Sequence, residues 1–221
     1  MTYHKDQEEN IIDFSERNIE SMYDKGFKFT RLSKGNMQST KNLRVNLSNF
    51  YIFTKNKRII SKYPNLEVRF ESLPLANYDY KLGKLAKDFY DTKFGKGVFS
   101  VIKIKEILTS NTSNFNSLAV FSLDGKEVGY CILYKSPNII HYCYPFYDLS
   151  YEASYLGLAM MTKVITTAKE NRLKYVYLGG ANASKDTYKL QFKGLEWWDT
   201  NTWNSDIEKL KDIIKNIEGI K

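Results

Sequence analysis

Leu66, Val68 and Phe70 alternate with polar neighbours, the period-two pattern of a strand with one buried face. Leu156, Met160, Val164 and Ala168 recur every fourth residue, which predicts a helix over 154–170 with one buried stripe. Residues 1–14 read as frayed. A helix over 15–25 is stopped by Gly26, because glycine tolerates the left-handed cap position. Strands over 27–31 and 43–47 flank a polar loop at 33–42, and a short basic helix at 54–62 ends before Pro64. After the strand at 66–70, helices over 80–92 and 101–108 are separated by Gly95 and Gly97.

Beyond residue 111 the pattern turns to sheet. Strands over 117–123 and 127–134 flank Asp124-Gly125, a two-residue hairpin signal. A third strand covers 139–147, and after the helix at 154–170 come a strand at 174–178, a helix at 184–192 and a strand at 195–198. The last helix has Ser205 as its predicted N-cap and Ile207, Leu210, Ile213, Ile214 and Ile217 as its apolar stripe. This order predicts an α/β (α+β) fold, a mixed sheet flanked by helices, and it is that of the acetyltransferase-like (GNAT) fold. The transfer domain is expected over 111–221, with an N-terminal basic lobe over 1–110. Within 146–198 a glycine stands at each strand-to-helix junction, where a ligand can approach the backbone.

Charge sharpens the picture. The 221 residues carry a net charge of +8, yet residues 25–66 hold ten basic residues and no acidic one. Lys55, Lys57, Arg58 and Lys62 lie in that stretch, interleaved with Phe27, Phe29, Phe50, Tyr51 and Phe53. A one-signed field of this kind suits a phosphate-rich partner, since each neutralised phosphate releases counterions; the alternative is a solvated basic surface. No apolar run reaches the roughly 18 residues that a membrane span needs, and the start, MTYHKDQEEN, has no apolar core. A cytoplasmic protein with no membrane partner is expected. Two cysteines, Cys131 and Cys143, and two histidines in no ligand spacing give no metal site.

With those segments in view, the chain resembles the bacterial leucyl- and eukaryotic arginyl-tRNA–protein transferases. The family pattern FYDP…SLG…YLGY…YKxxFRPLE is met by Phe146-Tyr147-Asp148, Leu156-Gly157, Tyr177-Leu178-Gly179 and Tyr188-Lys189-x-x-Phe192-Lys193-Gly194-Leu195-Glu196. Upstream, Asn56-Lys57-Arg58 and Pro64-Asn65-Leu66-Glu67-Val68-Arg69 are similar to its QRR helix and PDLEVR strand. Met22-Tyr23-Asp24-Lys25-Gly26-Phe27 resembles its helix-to-strand start, so the likeness runs in order over about 15–203. There are departures. The family's cysteine positions fall at about Lys34, Met37 and Thr40, the arginines before SLG are replaced by Glu152 and Ser154, and its serine by Tyr155. The loop after Gly179 is shorter by about two residues than the family's.

The resemblance implies transfer of an amino acid from the ester of aminoacyl-tRNA to the N-terminal amine of an acceptor protein or peptide, acidic in most of the family. No cofactor beyond the charged tRNA is implied. An activated ester needs no covalent enzyme intermediate; the site supplies orientation, a proton acceptor and oxyanion stabilisation. Asp148 aligns with the aspartate of the DCQ motif in the related leucyl/phenylalanyl-tRNA–protein transferases, which makes it the candidate proton acceptor or relay; the alternative is a loop cap. Ser154-x-x-Gly157-x-Ala159 resembles a degraded acetyltransferase phosphate loop, whereas Gly157 alone serves close packing equally well. Tyr188 is the candidate for stacking on adenine or positioning the ester, and Lys189 and Lys193 for contacts to terminal phosphates. Tyr147, Tyr177, Gly179 and Gly180 line the implied substrate site. His141 and Cys143 share a strand face, read as packing. Three other functions stay open: an acyl-CoA-dependent GNAT N-acyltransferase using coenzyme A, a Fem-like peptidoglycan aminoacyltransferase, and a non-catalytic RNA-binding derivative.

Overall fold

A computed structural model describes residues 7–219, with side chains at all of these positions except 152–154 and 217–219. The elements in chain order are β1 (Gln7–Asn10), α1 (Glu16–Asp24), β2 (Phe27–Phe29), β3 (Asn36–Ser39), β4 (Asn42–Asn46), α2 (Thr54–Ile60), β5 (Leu66–Ser72), α3 (Tyr80–Phe94) and α4 (Val101–Thr109). Then come β6 (Ser117–Leu123), β7 (Lys126–Lys135), β8 (Ile139–Tyr147), a 3₁₀ helix (Leu149–Ser154), α5 (Leu156–Glu170), β9 (Tyr175–Gly180), a second 3₁₀ helix (Ser184–Gln191), β10 (Leu195–Trp198), β11 (Trp203–Asn204) and α6 (Ile207–Gly219). They fall into two compact units. One draws on Met1–Phe53, Ser136–His141 and Ala168–Lys221, the other on Thr54–Lys135 and Tyr142–Thr167, so each takes residues from both sides of position 110.

In the first unit, α1 begins where the Ser15 hydroxyl accepts the Asn18 N–H at 3.3 Å. It stops at Gly26, whose φ is +79° and where an added Cβ would stand 2.3 Å from the Trp198 ring. Both the backbone and the space therefore require glycine there. A three-stranded antiparallel sheet places β3 between β1 and β2. Residues 7–10 are thus paired rather than frayed, and 36–39 form a strand rather than part of a loop. Neither segment shows apolar alternation, so pattern alone misses them. The larger sheet of this unit runs β11, β10, β4, β9 and the first residues of β8. It is mixed: β9 is antiparallel to β4 but parallel to β8 at Ile139, Ile140 and His141.

In the second unit the strand order is the rest of β8, then β7, β6 and β5. Asp124 and Gly125 both have positive φ, 50° and 80°, and join β6 to β7 as the hairpin signal requires. Residues 117–121 are buried in succession, so both faces of β6 are covered. Leu156, Met160 and Val164 of α5 are fully buried, each contributing on the order of 2 kcal/mol by area. The helix starts at Leu156, two residues later than the pattern predicts. The last helix also begins later: Asp206, not Ser205, accepts the Lys209 N–H at 3.0 Å and caps α6.

Candidate functional site

The second unit holds Tyr147, Asp148, Gly157, Lys55, Lys57, Arg58 and Lys62. β8 ends as the Asp148 N–H donates to the Val128 carbonyl at 3.0 Å, the last rung of that ladder. The Asp148 carboxylate then accepts the Ser150 N–H at 3.0 Å, which turns the chain into the 3₁₀ helix. That hydrogen bond, with a second from the Ser150 side chain and the charge of Lys126, holds the carboxyl below the usual carboxylate range. Asp148 is therefore ionised at neutral pH, a strong acceptor of hydrogen bonds and a weak store for a proton. It is a loop cap by geometry, and it is neither buried nor fully exposed.

Tyr147 and Gly157 meet. A Cβ on Gly157 would stand 2.9 Å from the Tyr147 ring, which itself packs on Phe89 with centroids 4.7 Å apart. The packing role of this glycine is thus present in the geometry. The side chain of Ser154 lies outside the described ones. Tyr155, just before α5, has φ +63°, is 60% exposed and lies 5.2 Å from the Lys62 ammonium. Lys55, Lys57 and Arg58 are exposed on α2, while Asn56 and Ile59 form its inner face. Among the described residues, none of Lys55, Lys57, Arg58 and Lys62 pairs with a carboxylate.

The first unit holds Tyr177, Gly179, Gly180, Tyr188, Lys189 and Lys193. Gly179 takes φ +78° at the end of β9 with open space beside it, while a side chain on Gly180 would meet Thr40 Oγ1 at 3.0 Å. Lys189 donates to the Gly180 carbonyl at 2.9 Å and to Asp186 Oδ1 at 3.1 Å. Asp186 in turn accepts the N–H groups of Asn182 and Ala183, so a lysine–aspartate pair locks the loop after the glycines. The 184–191 segment is a 3₁₀ helix, which leaves Tyr188 exposed beside this lock. Lys193 sits 5.2 Å from the Phe53 ring. Tyr177 is buried, its ring 4.8 Å from Tyr23 and 5.6 Å from Trp203, and burial pushes its phenol up.

One group follows its sequence reading and another departs from it. His141 is buried with Nδ1 2.9 Å from the Tyr23 hydroxyl, and desolvation, then Lys28 and Lys189, hold it neutral well below the usual histidine range. It belongs to packing. Arg44, one of the ten basic residues, is 7% exposed rather than part of a basic surface. Its guanidinium bonds Glu196 at 2.7 Å and Asp24 at 3.1 Å, and it lies 3.9 Å from the Tyr175 ring centroid and 4.1 Å from that of Trp203. Lys41 is buried as well. The charge run is thus partly internal, and the only sequence signal was the placement of Arg44 within an apolar strand.

Among the described residues no group of three His, Cys, Asp or Glu side chains is arranged to hold a metal ion. No helix among them is long and apolar enough to cross a membrane.

Residues 86–199, just over half of the chain, match the family model described as arginine-tRNA-protein transferase, C terminus. No curated protein matches in sequence. Among solved structures the chain is similar to FemX at 12% identity and TM-score 0.48, covering 79% of this chain and 63% of that one. L-PGS from Bacillus licheniformis is similar at 15% identity and TM-score 0.45, covering 75% and 52%. A putative lysylphosphatidylglycerol synthetase C-terminal domain from Agrobacterium fabrum has 14% identity and TM-score 0.47, covering 76% and 52%. The chain spans about half to two thirds of the length of these structures.

Proposed function

The chain belongs to the arginine-tRNA-protein transferase C-terminal family, and from that premise we propose that it transfers an amino acid from aminoacyl-tRNA to the N-terminal amine of an acceptor protein in the cytoplasm. The family match carries the reading. It spans Asp148, the loop behind it and the glycine turn of β9, the positions where the sequence pattern sets the transfer site. The acceptor begins with an acidic residue, as in an N-degron, and no cofactor beyond the charged tRNA takes part.

In this reaction the acceptor's ammonium loses one proton, and its lone pair adds to the ester carbonyl carbon. The carbon–oxygen bond to the ribose then breaks. A second proton leaves the nitrogen as the amide forms; one proton ends on the ribose hydroxyl and the other in solvent. A free α-amine has a pKa near about 8 and needs only a weak base. The ionised Asp148 carboxylate orients the ammonium and passes its proton on without keeping it. In the second unit Lys55, Lys57, Arg58 and Lys62 hold RNA phosphates; in the first, Lys189 keeps the Gly180 loop in shape beside the exposed Tyr188. Tyr147 and Gly157 pack together behind Asp148 in the second unit.

The full chain, incubated with tRNAs charged with several labelled amino acids and with peptides beginning Asp, Glu, Arg, Lys or Ala, should label the acidic peptides only when charged tRNA is present. Asp148→Asn should lower kcat at nearly unchanged tRNA affinity. Label delivered from acetyl-coenzyme A, with none from any charged tRNA, refutes the assignment.

A further inference from the structure

Resting on the aminoacyl-tRNA reading above, we propose that Tyr155 and Lys62 form a stacking platform for the unpaired 3′-terminal base of the RNA donor. Tyr155 stands immediately before Leu156, which is wholly buried, yet its own ring is 60% exposed. Its backbone has φ +63°, a region that a bulky L-residue rarely occupies. Glycine or asparagine would satisfy that backbone, and a small polar residue would suit the solvent. Neither local folding nor burial accounts for an aromatic ring here.

The ring is not isolated. The Lys62 ammonium lies 5.2 Å from its centroid, a cation–π arrangement that steadies the ring. Lys62 follows α2, whose Lys55, Lys57 and Arg58 are exposed. An exposed aromatic face beside cations is how proteins hold single-stranded nucleic acid: the base stacks, and the cation neutralises the phosphate next to it. The shared chemistry is an adenine ring, which the 3′ end of tRNA and coenzyme A both carry. The unpaired cations of α2 favour the polynucleotide.

The test measures binding of the full chain to a labelled single-stranded RNA matching a tRNA 3′ end, against the same RNA lacking its terminal base. The wild type should prefer the complete strand about tenfold. Tyr155→Phe should keep that preference. Tyr155→Gly should abolish it while melting no lower than the wild type, because glycine relieves the left-handed backbone; a merely structural tyrosine would lower the melting temperature. Lys62→Ala should weaken both strands alike. Retention of the preference in Tyr155→Gly overturns the platform, and so does a wild type that binds both strands equally, although the RNA reading survives that result. Loss of coenzyme A binding alone in Tyr155→Gly also overturns it, moving the ring to a different adenine. Absence of binding to these strands and to charged tRNA at low salt removes the reading itself and the platform with it.

Discussion

Replacing Arg44 by alanine should destabilise the protein strongly while leaving RNA affinity untouched. The guanidinium is the partner of Glu196, whose side chain is only 16% exposed, and of Asp24, which is 62% exposed. Without Arg44, Glu196 keeps one donor, Asn46 Nδ2 at 3.1 Å. Stranding one member of a buried pair costs about 3–5 kcal/mol. The remaining exposure and the Asn46 bond bring the figure to the lower end, about 3 kcal/mol, and lost contact with Tyr175 and Trp203 adds about 1 kcal/mol. For a chain of this size, 1 kcal/mol shifts the melting temperature by about 2–4 °C, so Arg44→Ala should melt roughly 8–16 °C lower in a calorimetric scan. Asp24→Asn should lose under about 1 kcal/mol, because that partner is in water. The double variant Arg44→Leu, Glu196→Leu should recover more than half of the loss, since no charge is then stranded. A melting temperature within about 2 °C of the wild type, together with weaker RNA binding, would refute this reasoning and return Arg44 to the phosphate-binding surface.

Two further outcomes follow from the second unit. Lys57→Ala with Arg58→Ala should reduce the slope of log affinity for charged tRNA against log salt by roughly 1.4–1.8, measured between low and moderate salt; an unchanged slope removes α2 from the RNA interface. Asp148 has a folded proton affinity below its unfolded one, so its stabilising contribution is fully present above the ordinary carboxylate range and is lost as pH falls through and below it. Thermal scans from pH 6 to pH 2.5 should therefore show a smaller acid-induced loss in Asp148→Asn than in the wild type, and equal losses would contradict the assigned shift.

What the sequence makes legible is local. The Asp124-Gly125 turn, the Gly26 stop and the four-residue stripe of α5 each need only a few neighbouring residues, and each is found where the pattern puts it. The family segments likewise fall on β8, β9 and the turns after them. The unread features depend on partners distant in sequence. β1 and β3 are polar and gain strand character from pairing, β1 with β3 across 26 residues at Asn10 and Asn36 and across 32 at Gln7 and Ser39, and β3 with β2 as well. Arg44 reads as a surface cation until Glu196, 152 residues away, is beside it. Lys189 reads as a phosphate ligand, yet its ammonium already holds the Gly180 carbonyl and Asp186.

The central place of Asn36–Ser39 in its small sheet governs how the protein tolerates trimming. Removing the first ten residues would convert an interior strand into an open border with unpaired amides, ready to recruit the same segment from a neighbouring copy. Shortened forms of this chain should therefore tend to dimerise by strand exchange.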